Sequence, residues 1–171
     1  MITIHPETAE DYAAIREVTL LAFGQEVEPR LVEDLRRLSD FIPELSLVAV
    51  QDGQVVGHIL FSPMVIETEK GAVPALSLAP LSVRPECQNQ GVGSQLVREG
   101  LKRCRSLGHE VVVVVGHPDY YPRFGFSSAR AKGLEATFEV PDEAFLVLEL
   151  TPEALAGIAG VMKYPPPYGI E

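Results

Sequence analysis

The sequence predicts an α/β (α+β) fold, a single domain in which helices flank one central sheet. Three observations lead to this prediction. Residues 92–107 carry apolar side chains at spacings of three and four, as one face of an amphipathic helix does. Residues 111–115 are apolar throughout, which is typical of a strand covered on both faces. The chain has 171 residues, the usual length of one domain, and no repeat or linker divides it.

The remaining elements follow from local signals and give the order β-α-α-β-β-β-α-β-α-β. Thr8, with Asp11 three residues later, has the pattern of a helix N-cap and capping box. Helices are predicted from Thr8, over 29–38, over 92–107 and as a short helix over 119–124. Strands are predicted over 2–4, 45–50, 55–65, 76–83, 111–115 and 145–150, with a further strand near 136–140. Pro63 predicts an edge or a bulge near the end of the third strand.

Composition restricts the classes of partner and compartment. The net charge of −10 repels nucleic-acid phosphates, so general nucleic-acid binding is not expected. Such a charge favours a cationic partner such as an amine, although acidic surfaces also serve solubility. Two cysteines do not make a disulfide scaffold, and neither a signal peptide nor a membrane span is visible, so a cytoplasmic protein is expected. The four histidines show no metal-binding spacing, and no metal is expected.

The most informative stretch runs from Leu81 to Ser94, where a strand leads through a polar turn into a helix. A helix start leaves backbone N–H groups without partners and carries partial positive charge, so it attracts anions. The stretch does not match a P-loop, because no Gly-Lys-Ser/Thr follows the glycines. It does not match a dinucleotide-binding fingerprint either, because Leu96 occupies the position of the third glycine. The alternative interpretation is that Gly91 and Gly93 only permit a tight turn and close helix packing.

Gln88-Asn89-Gln90-Gly91-Val92-Gly93 matches the Q/R-x-x-G-x-G/A signature of the GNAT superfamily of acyl-CoA-dependent N-acetyltransferases. A Leu-x-Val-x-Pro strand precedes it, and a helix follows. The segment Tyr120-Tyr121-Pro122-Arg123-Phe124-Gly125-Phe126 resembles the family's Tyr-x-x-x-Gly-Phe element after the fifth strand. The two motifs, with the expected elements between them, resemble most closely the YhbS-like branch of the family.

The resemblance implies a fold, a cofactor and an activity. The implied fold is a mixed, mostly antiparallel sheet that splays between its fourth and fifth strands, over residues 1–150. Residues 151–171 would form a Pro-rich C-terminal extension that packs on the domain or trails from it. The implied activity is transfer of an acetyl group from acetyl-CoA to a primary amine of a small molecule or peptide, by direct attack in a ternary complex. The alternative is a coenzyme A-binding sensor or interaction protein without transferase activity. Homodimers are common in the family.

The resemblance implies roles for individual residues of this sequence. Tyr121, four residues before Gly125, matches the family's general acid; the alternative is an aromatic anchor for the short helix. His117 is a candidate base, and His58 is a second, which could instead be a core histidine with one satisfied hydrogen bond. The residues implied to bind the cofactor are Leu81, Ser82, Val83, Gln88, Asn89, Gln90, Gly91, Val92, Gly93 and Ser94.

The acceptor region, which the family builds from its first two helices, is acidic here. Its carboxylates are Glu26, Glu28, Glu33 and Asp34. They form either a solvated helix face or a site for a cationic acceptor such as a polyamine or a lysine.

Overall fold

The computed structural model describes residues 1–170, which divide into two compact units. The first unit contains residues 1–62 and 79–103, and the second contains residues 63–78 and the chain from Cys104 onward. In chain order the helices are α1 (Tyr12–Phe23), α2 (Val27–Arg36) and α3 (Val92–Ser106). The strands are β1 (Ile2–Pro6), β2 (Ser46–Gln51), β3 (Gln54–Thr68), β4 (Gly71–Val83), β5 (Val111–Val115), β6 (Ser127–Ser128), β7 (Leu134–Glu135), β8 (Phe145–Glu149) and β9 (Gly160–Lys163). Strands β3 and β4 run through both units.

The first unit is built on β1, β2, β3 and β4, which neighbour one another in that order. Antiparallel pairing places Ile4 opposite Ala49, and Val48 opposite His58. The Thr8 N–H donates to the Asp11 carboxylate at 2.9 Å, so the predicted capping box forms, and it begins a short 3-10 turn that leads into α1. Helix α3 packs closely on the sheet at Gly100, where a Cβ would lie 2.3 Å from the ring of Phe61. The helix therefore needs a glycine at this position.

The second unit contains the parallel pairings that make the sheet mixed, β4 with β5 and β7 with β9. Strand β5 pairs with β4 in parallel, with Leu76 opposite Val112. Strand β8 pairs with β5 in antiparallel fashion along its whole length, and β6 pairs with β8. Strand β9 lies between β3 and β7. The fully buried core of this unit includes Ile66, Val113, Leu134, Phe145 and Met162. The predicted mixed, mostly antiparallel sheet is confirmed.

The C-terminal segment is part of the second unit and packs within it. The hydroxyl of Tyr168 donates to Ser77 Oγ at 2.9 Å. The ring of Tyr164 lies 4.9 Å from that of Tyr168 and 5.9 Å from that of Phe138. Residues Pro166–Tyr168 form a 3-10 turn rather than a fully extended chain. The segment is therefore held by aromatic contacts and by a side-chain hydrogen bond.

The predicted strand near 136–140 is wrong. The two-residue strand β7 ends at Glu135, and the chain beyond it forms a loop. The guanidinium of Arg130 fixes the end of this loop, because its Nη1 donates to the Val140 carbonyl at 2.8 Å and to Asp142 Oδ1 at 2.6 Å. This end of the loop is therefore held by a side chain, and residues 136–140 belong to no strand of the described part of the chain.

Other boundaries shift for local reasons. The short helix predicted over 119–124 is a 3-10 turn over Tyr121–Phe124, which Gly125 ends with a φ of +99°. The strand predicted over 55–65 continues past Pro63 to Thr68. Pro63 lies between the segment of β3 that pairs with β2 and the segment that pairs with β9. Its missing N–H therefore breaks neither ladder.

Candidate functional site

The turn between β4 and α3 presents backbone donors. Asn89 and Gly91 have φ values of +62° and +86°, a conformation that asparagine and glycine tolerate best. The Gln95 N–H donates to the Gly91 carbonyl at 3.0 Å, which is the first helical bond of α3. The N–H groups of Val92 and Gly93 therefore have no intrahelical acceptor, and they lie at the positive end of the helix dipole. An anion would be bound here by main-chain groups.

The surroundings of Gly91 would let a ligand approach the backbone of this turn closely. A Cβ built on Gly91 meets no heavy atom within 4 Å, so the glycine serves backbone conformation and approach rather than tight packing. The side chains of Gln88 and Gln90 fold back and donate to the carbonyls of Val83 (3.1 Å) and Glu86 (3.2 Å). The turn is thus braced by its own side chains.

Arg84, which the sequence analysis did not single out, anchors the start of this turn. Its Nε donates to the Val55 carbonyl at 2.8 Å, its backbone N–H donates to Val56, and its Nη1 lies 2.8 Å from Glu17 Oε1 of α1. Its carbonyl accepts the Cys87 N–H at 2.8 Å. Only a lone arginine before a proline marks this position in the sequence, a pattern equally compatible with a solvated side chain.

The end of β4 alternates in exposure, with Ser82 buried and Leu81 and Val83 only partly buried. The side chain of Ser82 is therefore enclosed by protein, whereas its two neighbours point to the opposite face of the sheet. Any ligand contact of Ser82 would involve its backbone.

In the second unit, Tyr121 is buried with 8% of its surface exposed. Its ring covers Gly116, where a Cβ would lie 2.4 Å from Tyr121 Cε2. The rings of Tyr120 and Phe126 meet it edge-on, with centroids 5.1 and 5.7 Å away. Burial, and then the neighbouring Tyr120, raise the pKa of the Tyr121 phenol. The hydroxyl is therefore a neutral proton donor throughout the physiological pH range.

His117 begins the same turn as Tyr121 and is exposed. Its carbonyl accepts the N–H groups of Tyr120 (3.1 Å) and Tyr121 (3.4 Å). The backbone of His117 thus shapes the turn, while its imidazole remains accessible to a ligand or to solvent.

His58 is fully buried in the first unit, in agreement with the interpretation of a core histidine with one satisfied hydrogen bond. Its Nε2 lies 2.8 Å from Ser46 Oγ and 3.9 Å from Glu7 Oε1. Burial, and then the positive charge of Arg36, lower the pKa of His58 to about 3. The imidazole is therefore neutral near pH 7.

The four carboxylates in α2 and just before it have partners within the first unit. Arg16 bonds both Glu26 and Glu33. Glu28 accepts from Gln25 at 2.9 Å, and Asp34 lies 3.4 Å from Arg37. These contacts favour a structural helix face over a site reserved for a cationic acceptor.

No three His, Cys, Asp or Glu side chains within residues 1–170 come together as a group that could hold a metal ion. In the same part of the chain, no helix has the length and hydropathy needed to cross a bilayer.

A protein-family model described as an acetyltransferase (GNAT) domain matches residues 3–129 of the chain. The chain is 42% identical over 142 residues to the uncharacterized N-acetyltransferase YjhQ of Escherichia coli, a match that covers 82% of this chain and 78% of that protein. It is 36% identical over 162 residues to the uncharacterized N-acetyltransferase YhbS of E. coli, which covers 94% and 95% of the two chains.

Solved structures agree with the sequence relatives. The crystal structure of E. coli YhbS in complex with CoA matches with a TM-score of 0.90 and 32% identity, over 98% of this chain and 92% of that chain. A GNAT family acetyltransferase from Brucella melitensis in complex with acetyl-CoA matches with a TM-score of 0.80 and 33% identity, over 98% of both chains.

Proposed function

Because the chain belongs to the GNAT acetyltransferase family, we propose that it transfers the acetyl group of acetyl-CoA to a primary amine by direct attack in a ternary complex. The observation that carries this proposal is the turn over Gln88–Gly93, whose backbone donors and open approach suit a pyrophosphate. Two structurally similar relatives are complexes with CoA or acetyl-CoA.

The residues that would hold acetyl-CoA come from β4 and from the start of α3. The backbone of residues 81–83 would bind the pantetheine arm, and that of residues 88–94 would bind the pyrophosphate. Acetyl-CoA supplies the thioester that is attacked. A backbone N–H at Leu81 or Val83, directed at the thioester oxygen, would stabilise the negative charge that develops there.

Tyr121 would act as the general acid. Its phenol stays protonated because burial raises its pKa, so it can give its proton to the departing sulfur. The amine must lose a proton before it attacks, and the exposed imidazole of His117 is our candidate acceptor for that proton. His58, which is neutral and fully enclosed, is unsuited to this role.

Calorimetric titration with acetyl-CoA, with ATP and NAD as controls, tests the cofactor. We expect micromolar binding of acetyl-CoA alone. The variant Gly91→Ala places a Cβ at the approach to the backbone donors and strains the turn, so we expect its affinity to fall by about tenfold or more. Gly108→Ala is the matched control, since Gly108 has a φ of +88° and equally open surroundings at the other end of α3. Equal affinities for the two variants would disprove a role of the turn.

The variant Tyr121→Phe tests the general acid. The phenylalanine ring keeps the packing against Gly116, so we expect acetyl-CoA affinity to remain close to that of the wild type. Turnover, measured as thiol release with a panel of amines, should fall by about a hundredfold. Tyr120→Phe, in the same turn, should retain turnover. Acetyl-CoA binding without thiol release for any amine would instead support a coenzyme A-binding sensor.

A further inference from the structure

Polar side chains from β2, β3 and β4, and from the residue that follows β1, lie near one another inside the first unit. Glu7 follows β1 directly, Ser46 lies on β2, His58 on β3 and Ser82 on β4. Arg36 of α2 begins this polar row with two bonds to the Glu7 carboxylate, at 2.8 and 2.9 Å. Ser46 Oγ lies 2.6 Å from Glu7 Oε1 and 2.8 Å from His58 Nε2. Glu7, Ser46, His58 and Ser82 are each less than 9% exposed.

The positions of the protons in this row follow from the geometry. The bidentate contact with Arg36 is that of an ionised carboxylate, which accepts hydrogen bonds and donates none. The single hydroxyl proton of Ser46 therefore points to Glu7. Ser46 Oγ must then accept from His58, so the imidazole carries its proton on Nε2. His58 Nδ1 is consequently an unprotonated acceptor.

Two atoms at the far end of the row have no hydrogen-bond partner within the protein. These are His58 Nδ1 and Ser82 Oγ, and both are buried. The Arg84 N–H donates to the Val56 carbonyl at 2.8 Å, and β3 and β4 are neighbours joined by a tight turn. Val56 therefore lies opposite Arg84. Two residues forward on β3 and two residues back on β4, antiparallel geometry places His58 opposite Ser82 on the same face.

A second contact supports this register. A Cβ on Gly57 would lie 3.1 Å from the Ser82 carbonyl and would point at Val92 and Leu96 of α3. His58, the next residue, therefore points to the other face of the sheet, where Glu7 and Arg36 bind the same polar row. The two unpartnered atoms therefore belong to buried side chains on the same face of neighbouring strands.

We propose that a single buried water molecule bridges His58 Nδ1 and Ser82 Oγ and extends the polar row onto β4. The water would donate one hydrogen bond to His58 Nδ1. It would form a second with the Ser82 hydroxyl, as donor or as acceptor. Buried polar atoms without partners destabilise a fold, and internal waters commonly satisfy such atoms. Water is the ligand class that fits, because side chains that are 0% and 1% exposed leave no path for a larger molecule.

The bridge would make Ser82 and His58 positioning residues. It would join β4 to the Arg36–Glu7 ion pair through an unbroken series of hydrogen bonds. If the proposed function holds, this series fixes the backbone at Leu81 and Val83, which would bind the pantetheine arm. The experiments below use the protein without acetyl-CoA, so their outcome is independent of that function.

The variant Ser82→Ala distinguishes a bridged hydroxyl from an unsatisfied one. Loss of a bridged hydroxyl leaves the buried water one hydrogen-bond partner short, so the urea midpoint should fall. Removal of a truly unsatisfied hydroxyl should leave the midpoint unchanged or raise it, and that result would overturn the proposal. Thr19→Val is the reference for how far the urea midpoint falls when a satisfied buried hydroxyl is removed. Thr19 is fully buried, and its hydroxyl donates to the Ile15 carbonyl at 2.7 Å.

A crystal structure of the wild-type chain would test directly whether the bridging water is present. We expect density for one water within hydrogen-bond distance of both His58 Nδ1 and Ser82 Oγ. Nitrogen-15 NMR of His58 should show a proton on Nε2 and none on Nδ1. A direct Ser82–His58 hydrogen bond, an empty space between the two atoms, or a proton on Nδ1 would each contradict the proposal.

Discussion

At the scale of single residues, Gly116 determines where the Tyr121 ring can lie. The variant Gly116→Ala would place a Cβ 2.4 Å from Tyr121 Cε2, well inside contact distance, so the ring must move. We expect a loss of about 1–3 kcal/mol in the free energy of unfolding and a fall in turnover at least as large as that of Tyr121→Phe. Urea unfolding and thiol release measure the two effects.

The double variant Gly116→Ala/Tyr121→Ala is the control for this clash. Once the ring is removed, the added methyl group has room, so it should cost little further stability. Additive losses in the double variant would mean that the methyl group destabilises through another contact.

Residue-scale prediction from sequence succeeds where a motif fixes local geometry. The Gln88–Gly93 turn leads into a helix as its pattern predicts, and Thr8 and Asp11 form the expected capping box. Sequence did not single out Arg84, because its contacts reach Val55 and Glu17, which are far away in the chain. For His58, burial alone decided between the two interpretations, and burial depends on strand pairing.

At the scale of elements, β9 completes the core of the second unit. Met162 is fully buried there, and Ile66 lies opposite it on β3. The variant Met162→Ala should therefore lower the free energy of unfolding by about 2–5 kcal/mol, as measured by urea denaturation. Lys163→Ala, at the adjacent exposed position of the same strand, is the matched control and should change stability by less than about 0.5 kcal/mol. Similar losses for both variants would contradict the described packing of β9.

Long, strongly patterned elements were predicted well, and short ones were not. The predicted helix over 92–107 and the strand over 111–115 agree with the structure to within a residue at each end. Strand β9 was missed because four residues are too few to show periodicity. The short strands β6 and β7 exist through pairing with partners distant in sequence, which local propensity cannot reveal.

At the scale of the whole molecule, the buried neutral His58 makes stability depend on pH. Its pKa is about 3 in the folded protein and about 6.5 in an unfolded chain. Between these values the unfolded chain binds a proton that the folded chain does not bind. The free energy of unfolding should therefore fall as the pH falls, by up to about 1.4 kcal/mol per pH unit from this group.

Urea unfolding between pH 7 and pH 5 measures this slope, in a range where most carboxylates remain ionised. The variant His58→Gln lacks the titrating group, so its stability should change less steeply with pH even if it is lower throughout. Identical slopes for the variant and the wild type would show that His58 does not carry the dependence.

The distribution of tyrosines gives the two units different optical properties. The chain has no tryptophan, and four of its five tyrosines, Tyr120, Tyr121, Tyr164 and Tyr168, belong to the second unit. Tyr12 is in the first unit, where the guanidinium carbon of Arg36 lies 3.9 Å from the centre of its ring. In a Tyr12→Phe background, intrinsic fluorescence would report on the second unit alone. The same aromatic clusters that pack the C-terminal half thus provide a label-free signal for its unfolding.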